Sequence, residues 1–348
     1  MKTIRTLAVV TAVFAYALIV LGAVVRITGS GLGCGPSWPL CNGRLVPSLG
    51  DYHTVIEYIH RLAALGLMLL TSSLAISGFA HRKAPGVGGP GGIGRPIGIS
   101  VALLALQVML GAIAVWLDLH ASAVVLHLGN AMALLATLLV VGLRAKRGER
   151  GEVRSWERAS PLSPLPTHGN AAPRLARGAV AALALAGTAI LLGGLTATTG
   201  AAPACLGFPL CNGQIWPGAG AGGRALLHWI HRLVAYVLFL HMIGMANRAH
   251  RLGSSPTRNW AWIAAGCVTL QLAVAALMVL NFLPPSLRAL HVAVGTAAWV
   301  TLVYFTWHAT RTVAPDAAWR DVTLSARRSA PAGAPPESPR GRRRGAPR

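Results

Sequence analysis

Of the 348 residues, 54% are hydrophobic and only 11% charged, which excludes an ordinary soluble domain. The formal charge of +22 invites a nucleic-acid reading, but its distribution argues against one. Residues 144–177 hold eight Lys or Arg against three acids, and residues 311–348 nine against three, all beside apolar runs or after them. A basic excess placed this way orients a membrane protein and attracts anionic lipid, so no nucleic-acid partner is expected.

Eight apolar runs follow one another: about 7–25, 57–79, 97–117, 123–143, 177–197, 228–247, 260–281 and 287–308. Each approaches the roughly 20 residues needed to cross a hydrocarbon core. In lipid only helices satisfy their own backbone over such runs, so the fold class is all-α, an integral membrane protein with eight transmembrane helices. Putting every basic segment in the cytoplasm leaves both termini inside and the protein in the plasma membrane as a multi-pass chain. The first run follows a basic Met1–Arg5 start but is longer than a typical signal-peptide core and has no clear cleavage site, so it reads as a retained helix.

After the first helix comes a Gly- and Pro-rich outer loop with Cys34 and Cys41. On the oxidising face a Cys34–Cys41 disulfide closes a short loop, restricting the unfolded chain by roughly 2–3 kcal/mol. A zinc site is the competing reading, with His53 the one extra ligand nearby. The second helix opens on Glu57-Tyr58-Ile59-His60-Arg61; Gln107 lies in the third and His127 near the start of the fourth. Residues 144–176 are polar, basic and proline-bearing, a cytoplasmic linker rather than a domain. The fifth helix then exits into a second cysteine loop, which shares Pro-Leu-Cys-Asn-Gly with the first (39–43 and 209–213). The sixth opens on His228-Trp229-Ile230-His231-Arg232, the seventh repeats the glutamine as Gln271, and the eighth carries His291. Residues 311–348 lack apolar periodicity and read as a disordered basic tail.

The chain is thus a duplication: residues 1–143 and 177–310 form two pseudo-symmetric four-helix bundles. His60, His127, His231 and His291 sit near the outer start of four parallel helices, at matched depth in each half. Two imidazoles from neighbouring helices suit one haem iron, whereas isolated membrane histidines serve as interhelical hydrogen-bonding glue. Arg61 and Arg232 follow two of these histidines on the outer side; they are candidate propionate partners, or they snorkel. Glu57 shares a helix face with His60 and is replaced by His228 in the second half. A carboxylate there relays protons or stabilises developing charge; alternatively it caps the helix start.

These residues resemble the haem A synthase family over about residues 5–310. The resemblance rests on Val-Arg-Ile-Thr-Gly-Ser-Gly-Leu-Gly-Cys-Gly-Pro-Ser-Trp-Pro-Leu-Cys-Asn-Gly, on Glu57 with His60 and Arg61, on the second cysteine loop and on the four histidines. It implies that haem O is oxidised at a methyl substituent to the formyl group of haem A for respiratory terminal oxidases. It places substrate haem on His60 and His127 beside Glu57, and a cofactor haem b on His231 and His291. It also implies a second bridge, Cys205–Cys211, although that spacing is one residue shorter than in the first loop. His228, one turn before His231, is a rival ligand. Haem O synthase and an electron donor are the partners implied, and self-association is a further expectation. Three other classes stand beside this one, one of them an assembly scaffold with structural haem only. A diheme b-type electron-transfer subunit uses the same four histidines, and a thiol–disulfide oxidoreductase uses the cysteines, though such enzymes favour Cys-x-x-Cys.

Overall fold

The computed structural model describes residues 1–84, 86–88, 91–157, 171–218, 220 and 222–311. Eight long helices account for most of them: α1 (Lys2–Ile27), α2 (Tyr52–Ala80), α3 (Gly94–Trp116), α4 (Ala121–Glu157), α5 (Ala171–Thr198), α6 (Gly222–Leu252), α7 (Ser255–Leu280) and α8 (Pro285–Arg311). All eight are long and apolar enough to cross a membrane. Among the described residues there is no strand, only two isolated β-bridges inside the cysteine loops.

The helices extend past the apolar runs at both membrane faces. α2 begins at Tyr52 because Asp51 caps it, its carboxylate accepting the Thr54 backbone N–H at 2.8 Å. That bond, with a second from the Thr54 hydroxyl, holds the exposed Asp51 carboxyl below the usual carboxylate range. α4 runs on to Glu157 and α5 starts at Ala171, so the stretch 144–176 expected as a linker is helical at both ends. An apolar run measures the thickness of the bilayer, whereas Arg, Lys, Glu and Ala continue a helix into water without it. Residues 158–170 and the tail from 312 lie outside the described residues.

Packing follows the duplication. α1 packs on α2 and α4, and α3 on α4; in the second half α5 packs on α6 and α8, and α7 on α8. The halves meet through α1–α8 and α4–α5, which exchange under a two-fold rotation, and through α4–α8 on the axis. Four helices are therefore central (α1, α4, α5, α8) and four peripheral. The seams use small residues that let backbones approach: Ala8, Ala12 and Ala15 on α1, and Ala179, Ala182 and Ala186 on α5, all buried. Leu69, Ile76 and Leu240 point outward, more than 60% exposed, as lipid-facing side chains must.

Duplication extends to backbone conformation in the connections. In each cysteine loop an Asn-Gly pair adopts positive φ: Asn42 at 51° and Gly43 at 75°, Asn212 at 52° and Gly213 at 80°. This is the two-residue turn that brings Cys41 back to Arg44 and Cys211 back to Gln214. Both turns that join α3 to α4 and α7 to α8 also use two successive positive-φ residues, Asp118-Leu119 and Phe282-Leu283. Both disulfides are formed, Cys34–Cys41 and Cys205–Cys211; Cys267 is free.

Candidate functional site

His60 and His231 fall in the third turn of α2 and α6, and His127 and His291 in the second turn of α4 and α8. Depth is thus matched pair by pair, as the repeat demands. His60 and His127 are within electrostatic reach of each other, and so are His231 and His291. Each half therefore holds one pair of imidazoles on two helices that run the same way.

Glycines make room for the rings. A Cβ added at Gly22 of α1 would lie 3.2 Å from His60 Cε1, and one at Gly193 of α5 2.9 Å from His231 Cε1. Gly111 of α3 stands in the same relation to His127, at 3.2 Å. Nδ1 of His60, His127 and His231 is buried without a hydrogen-bond partner. Buried polar atoms are seldom left so, and imidazoles cradled between helices with unpartnered ring nitrogens would suit a haem iron. No cluster of three or more His, Cys, Asp or Glu side chains able to hold a bare metal ion exists among the described residues. The cysteines of the first loop are bridged to each other, which disposes of the zinc reading there.

Glu57 is 3% exposed and joins helix to loop. Its Oε2 accepts the Cys34 backbone N–H at 2.8 Å, and its Oε1 accepts Arg61 Nε at 3.1 Å and Nη2 at 2.5 Å. Arg61 also donates to the Leu40 carbonyl at 2.7 Å. Glu57 lies in the second turn of α2 and does not cap it; Asp51 does. In the second half Arg232 donates to the carbonyls of Gly207 and Leu210, both at 2.9 Å, and to that of Cys205 at 2.5 Å. Its Nε–H reaches Nε2 of the buried His228 at 3.2 Å. So the two arginines expected as propionate partners turn back to hold their own disulfide loops. A guanidinium carries five donors in a planar fork, which suits it to gathering several carbonyls of an irregular loop. His228, the rival ligand to His231, is likewise occupied by Arg232.

Behind His127 and His291 stand the repeated glutamines. Gln107 Nε2 lies 3.1 Å from His127 Nε2, and Gln271 Nε2 lies 3.1 Å from His291 Nδ1 and 3.2 Å from its Nε2. In the first half alone Asn130 donates to Gln107 Oε1, at 2.7 Å, and to the Leu103 carbonyl, at 2.8 Å. Sequence reasoning noted the glutamines without a role and missed Asn130, Gly22 and Gly193. Aligning the repeat on its histidines would have flagged Gly22 against Gly193, and Asn130 against Val294.

The model of the COX15-CtaA family, described as cytochrome oxidase assembly protein, matches residues 5–303. Among curated proteins, the chain is 30% identical over 251 residues to a heme A synthase of Alkalihalophilus pseudofirmus, covering 70% of this chain and 75% of that one. It is 29% identical over 305 residues to a heme A synthase of Symbiobacterium thermophilum, covering 87% and 94% of the two chains. A heme A synthase of Bacillus cereus (strain AH187) is 27% identical over 323 residues, covering 89% and 94%.

Proposed function

Because the chain belongs to the COX15-CtaA family of cytochrome oxidase assembly proteins, we propose that it is a haem A synthase, oxidising one methyl substituent of haem O to the formyl group of haem A. The single observation that carries this reading is the buried Glu57, three residues before His60 on one face of α2 and tied to the first disulfide loop. A bare electron-transfer subunit has no use for a carboxylate in one half only.

Substrate haem belongs on His60 and His127, and a resident haem b on His231 and His291. The resident group supplies one-electron redox chemistry when bound. The chain's own part is to seat and orient. Gly22, Gly111 and Gly193 let the helices close on the imidazoles. The Arg61 and Arg232 clamps hold the loops over the outer ends of the sites and limit the entry of water. Glu57 presents a fixed negative charge one turn from His60, where it takes up a proton or stabilises positive charge as the methyl is oxidised.

The inner end carries Arg5, Arg82, Arg144 and Arg248, so it faces the cytoplasm and the disulfide loops face outward. A reporter fused after residue 45 or 215 reads out as exported; cytoplasmic activity at either would reverse this orientation. Haem O synthase is the fitting source of substrate, and an electron carrier the second partner.

The test is conversion of added haem O in membranes containing the protein, followed by pigment extraction and mass spectrometry. Haem A accumulates with the wild-type chain and not with His60→Ala. Unchanged haem O with the wild-type chain, in membranes supplied with oxygen and respiratory reductant, removes the assignment.

A further inference from the structure

With Arg61 and Arg232 turned to their loops, two other half-buried arginines at the outer end of the bundle remain unexplained. Arg26 lies in the last turn of α1 and Arg288 in the first turn of α8, both half-buried. Ion pairs among the described residues are Arg5–Glu149 and Arg61–Glu57, so neither arginine has a carboxylate. Nor are they inherited scaffolding: the repeat puts Ala197 opposite Arg26 and Val124 opposite Arg288.

The fold brings them together. α1 and α8 pack across the seam between the halves, and the Tyr16 hydroxyl donates to the Ala293 carbonyl at 2.9 Å, fixing their register. The helices are antiparallel, so both arginines lie outward of that bond, Arg26 by about 15 Å and Arg288 by about 7.5 Å at 1.5 Å per residue. Long side chains span the remaining offset, and the two guanidinium groups are electrostatic neighbours. Arg26 also stands one turn outward of Gly22, the residue against which the His60 ring rests.

Two half-buried like charges side by side, on the membrane face that normally lacks cations, are unfavourable without an anion. Of the acids at this end, Glu57 serves Arg61 and the Cys34 N–H, Asp51 serves Thr54, and the exposed Asp118 forms no ion pair with either arginine. The anion must arrive with a ligand, and a haem presents an apolar ring with two carboxylates along one edge. We propose that Arg26 and Arg288 form a carboxylate-binding pair at the outer end of the α1–α8 seam, holding the propionates of the haem seated at His60. The pair rests on the haem reading given above and adds the residues that orient the substrate ring, since propionates held outward direct the opposite ring edge inward. Arginine suits the task because its planar fork meets a carboxylate with two parallel N–H donors.

The experiment uses full-length His231→Ala protein, produced without haem supply, so that only the first half titrates. It is titrated with haem b and with its dimethyl ester, followed by visible absorption. The free acid binds at least about tenfold tighter than the ester, in line with the loss of charge-assisted hydrogen bonds. Adding Arg26→Gln and Arg288→Gln brings the two affinities to within about twofold while leaving ester binding unchanged, and Arg26→Lys with native Arg288 keeps part of the preference. A preference that survives the double substitution overturns the proposal, as does equal binding of acid and ester by the unsubstituted pair. Failure of either compound to bind in a His60-dependent way overturns the haem reading itself, and the pair with it.

Discussion

The two halves share their scaffold and differ in their polar inserts. Disulfide loop, Asn-Gly turn, arginine clamp, histidine pair, ring-accommodating glycine and glutamine all occur twice, in matching places. What occurs once is Glu57, Asn130, Arg26, Arg288 and Gly111, whose counterparts are His228, Val294, Ala197, Val124 and Ala275. The substituted pair at the clamp is the most instructive. Glu57 accepts both an arginine and a loop amide, whereas His228 accepts the arginine through one nitrogen. Loop closure therefore does not require a carboxylate, because the second half closes its loop without one. The added charge in the first half needs another reason, and the substrate chemistry proposed above would supply one.

The largest effect expected is on the histidines. If the halves hold separate haems, His291→Ala removes the low-spin b-type absorption of the purified protein and His60→Ala leaves it, while both stop haem A formation. Loss of the same spectral component in both variants would merge the two sites into one and end the comparison. An alanine at either position also opens a cavity, so the fraction of folded protein is measured alongside by size-exclusion profile.

Next in size is Glu57. Glu57→Gln keeps the volume and an oxygen to accept the Cys34 N–H, but removes the charge facing Arg61. Haem A formation falls on the order of a hundredfold or more, with the haem b spectrum intact. The control is Arg61→Gln, which loosens the clamp and leaves the carboxylate in place. Equal loss in the two variants would reduce Glu57 to a loop fastener, like its counterpart across the pseudo-axis. Accumulation of a hydroxylated haem in Glu57→Gln alone would place the carboxylate in the later oxidation.

Much of this was legible in the sequence because lipid is an exacting solvent. Eight apolar runs have one structural solution, and a repeat containing Pro-Leu-Cys-Asn-Gly twice sets their pairing. The Cys34–Cys41 bridge was legible because one short loop encloses it, whereas Cys205–Cys211 came with the family resemblance. Helix ends were not, because α4 leaves the membrane on Arg, Lys and Glu and keeps its hydrogen bonds in water. The arginine roles were not legible either. A guanidinium four residues after Glu57 or His228 can reach a ligand or its own loop, and only the path of residues 34–41 and 205–211 decides. Asn130 carried no signal by itself, being one polar residue in an apolar run.

Asn130 gives the finest test of the comparison. Its amide N–H groups donate to the Leu103 carbonyl and to Gln107 Oε1. The carbonyl can only accept, which fixes Asn130; Asn130 in turn fixes the Gln107 oxygen toward itself and the Gln107 N–H toward His127 Nε2. In the second half Val294 provides no such hold, and Gln271 Oε1 is buried without a partner while its nitrogen lies near both ring nitrogens of His291. Asn130→Val imposes the second-half arrangement on the first. A neutral imidazole has one free lone pair, and the Gln107 N–H occupies it at Nε2, so haem must displace that bond. One net hydrogen bond is worth about 1 kcal/mol, so Asn130→Val raises haem affinity at the His60–His127 site roughly fivefold, with the other site unchanged. The effect runs through Gln107, so it vanishes when Asn130→Val is made in a Gln107→Leu background, a coupling that titration of the four proteins measures directly. The same change in both backgrounds would show that Asn130 acts by packing and does not orient the glutamine. The reciprocal Val294→Asn engages the free Gln271 oxygen, turns the Gln271 N–H to His291 and weakens the His231–His291 site; a tightened site would mean that the second half has repacked around its valine.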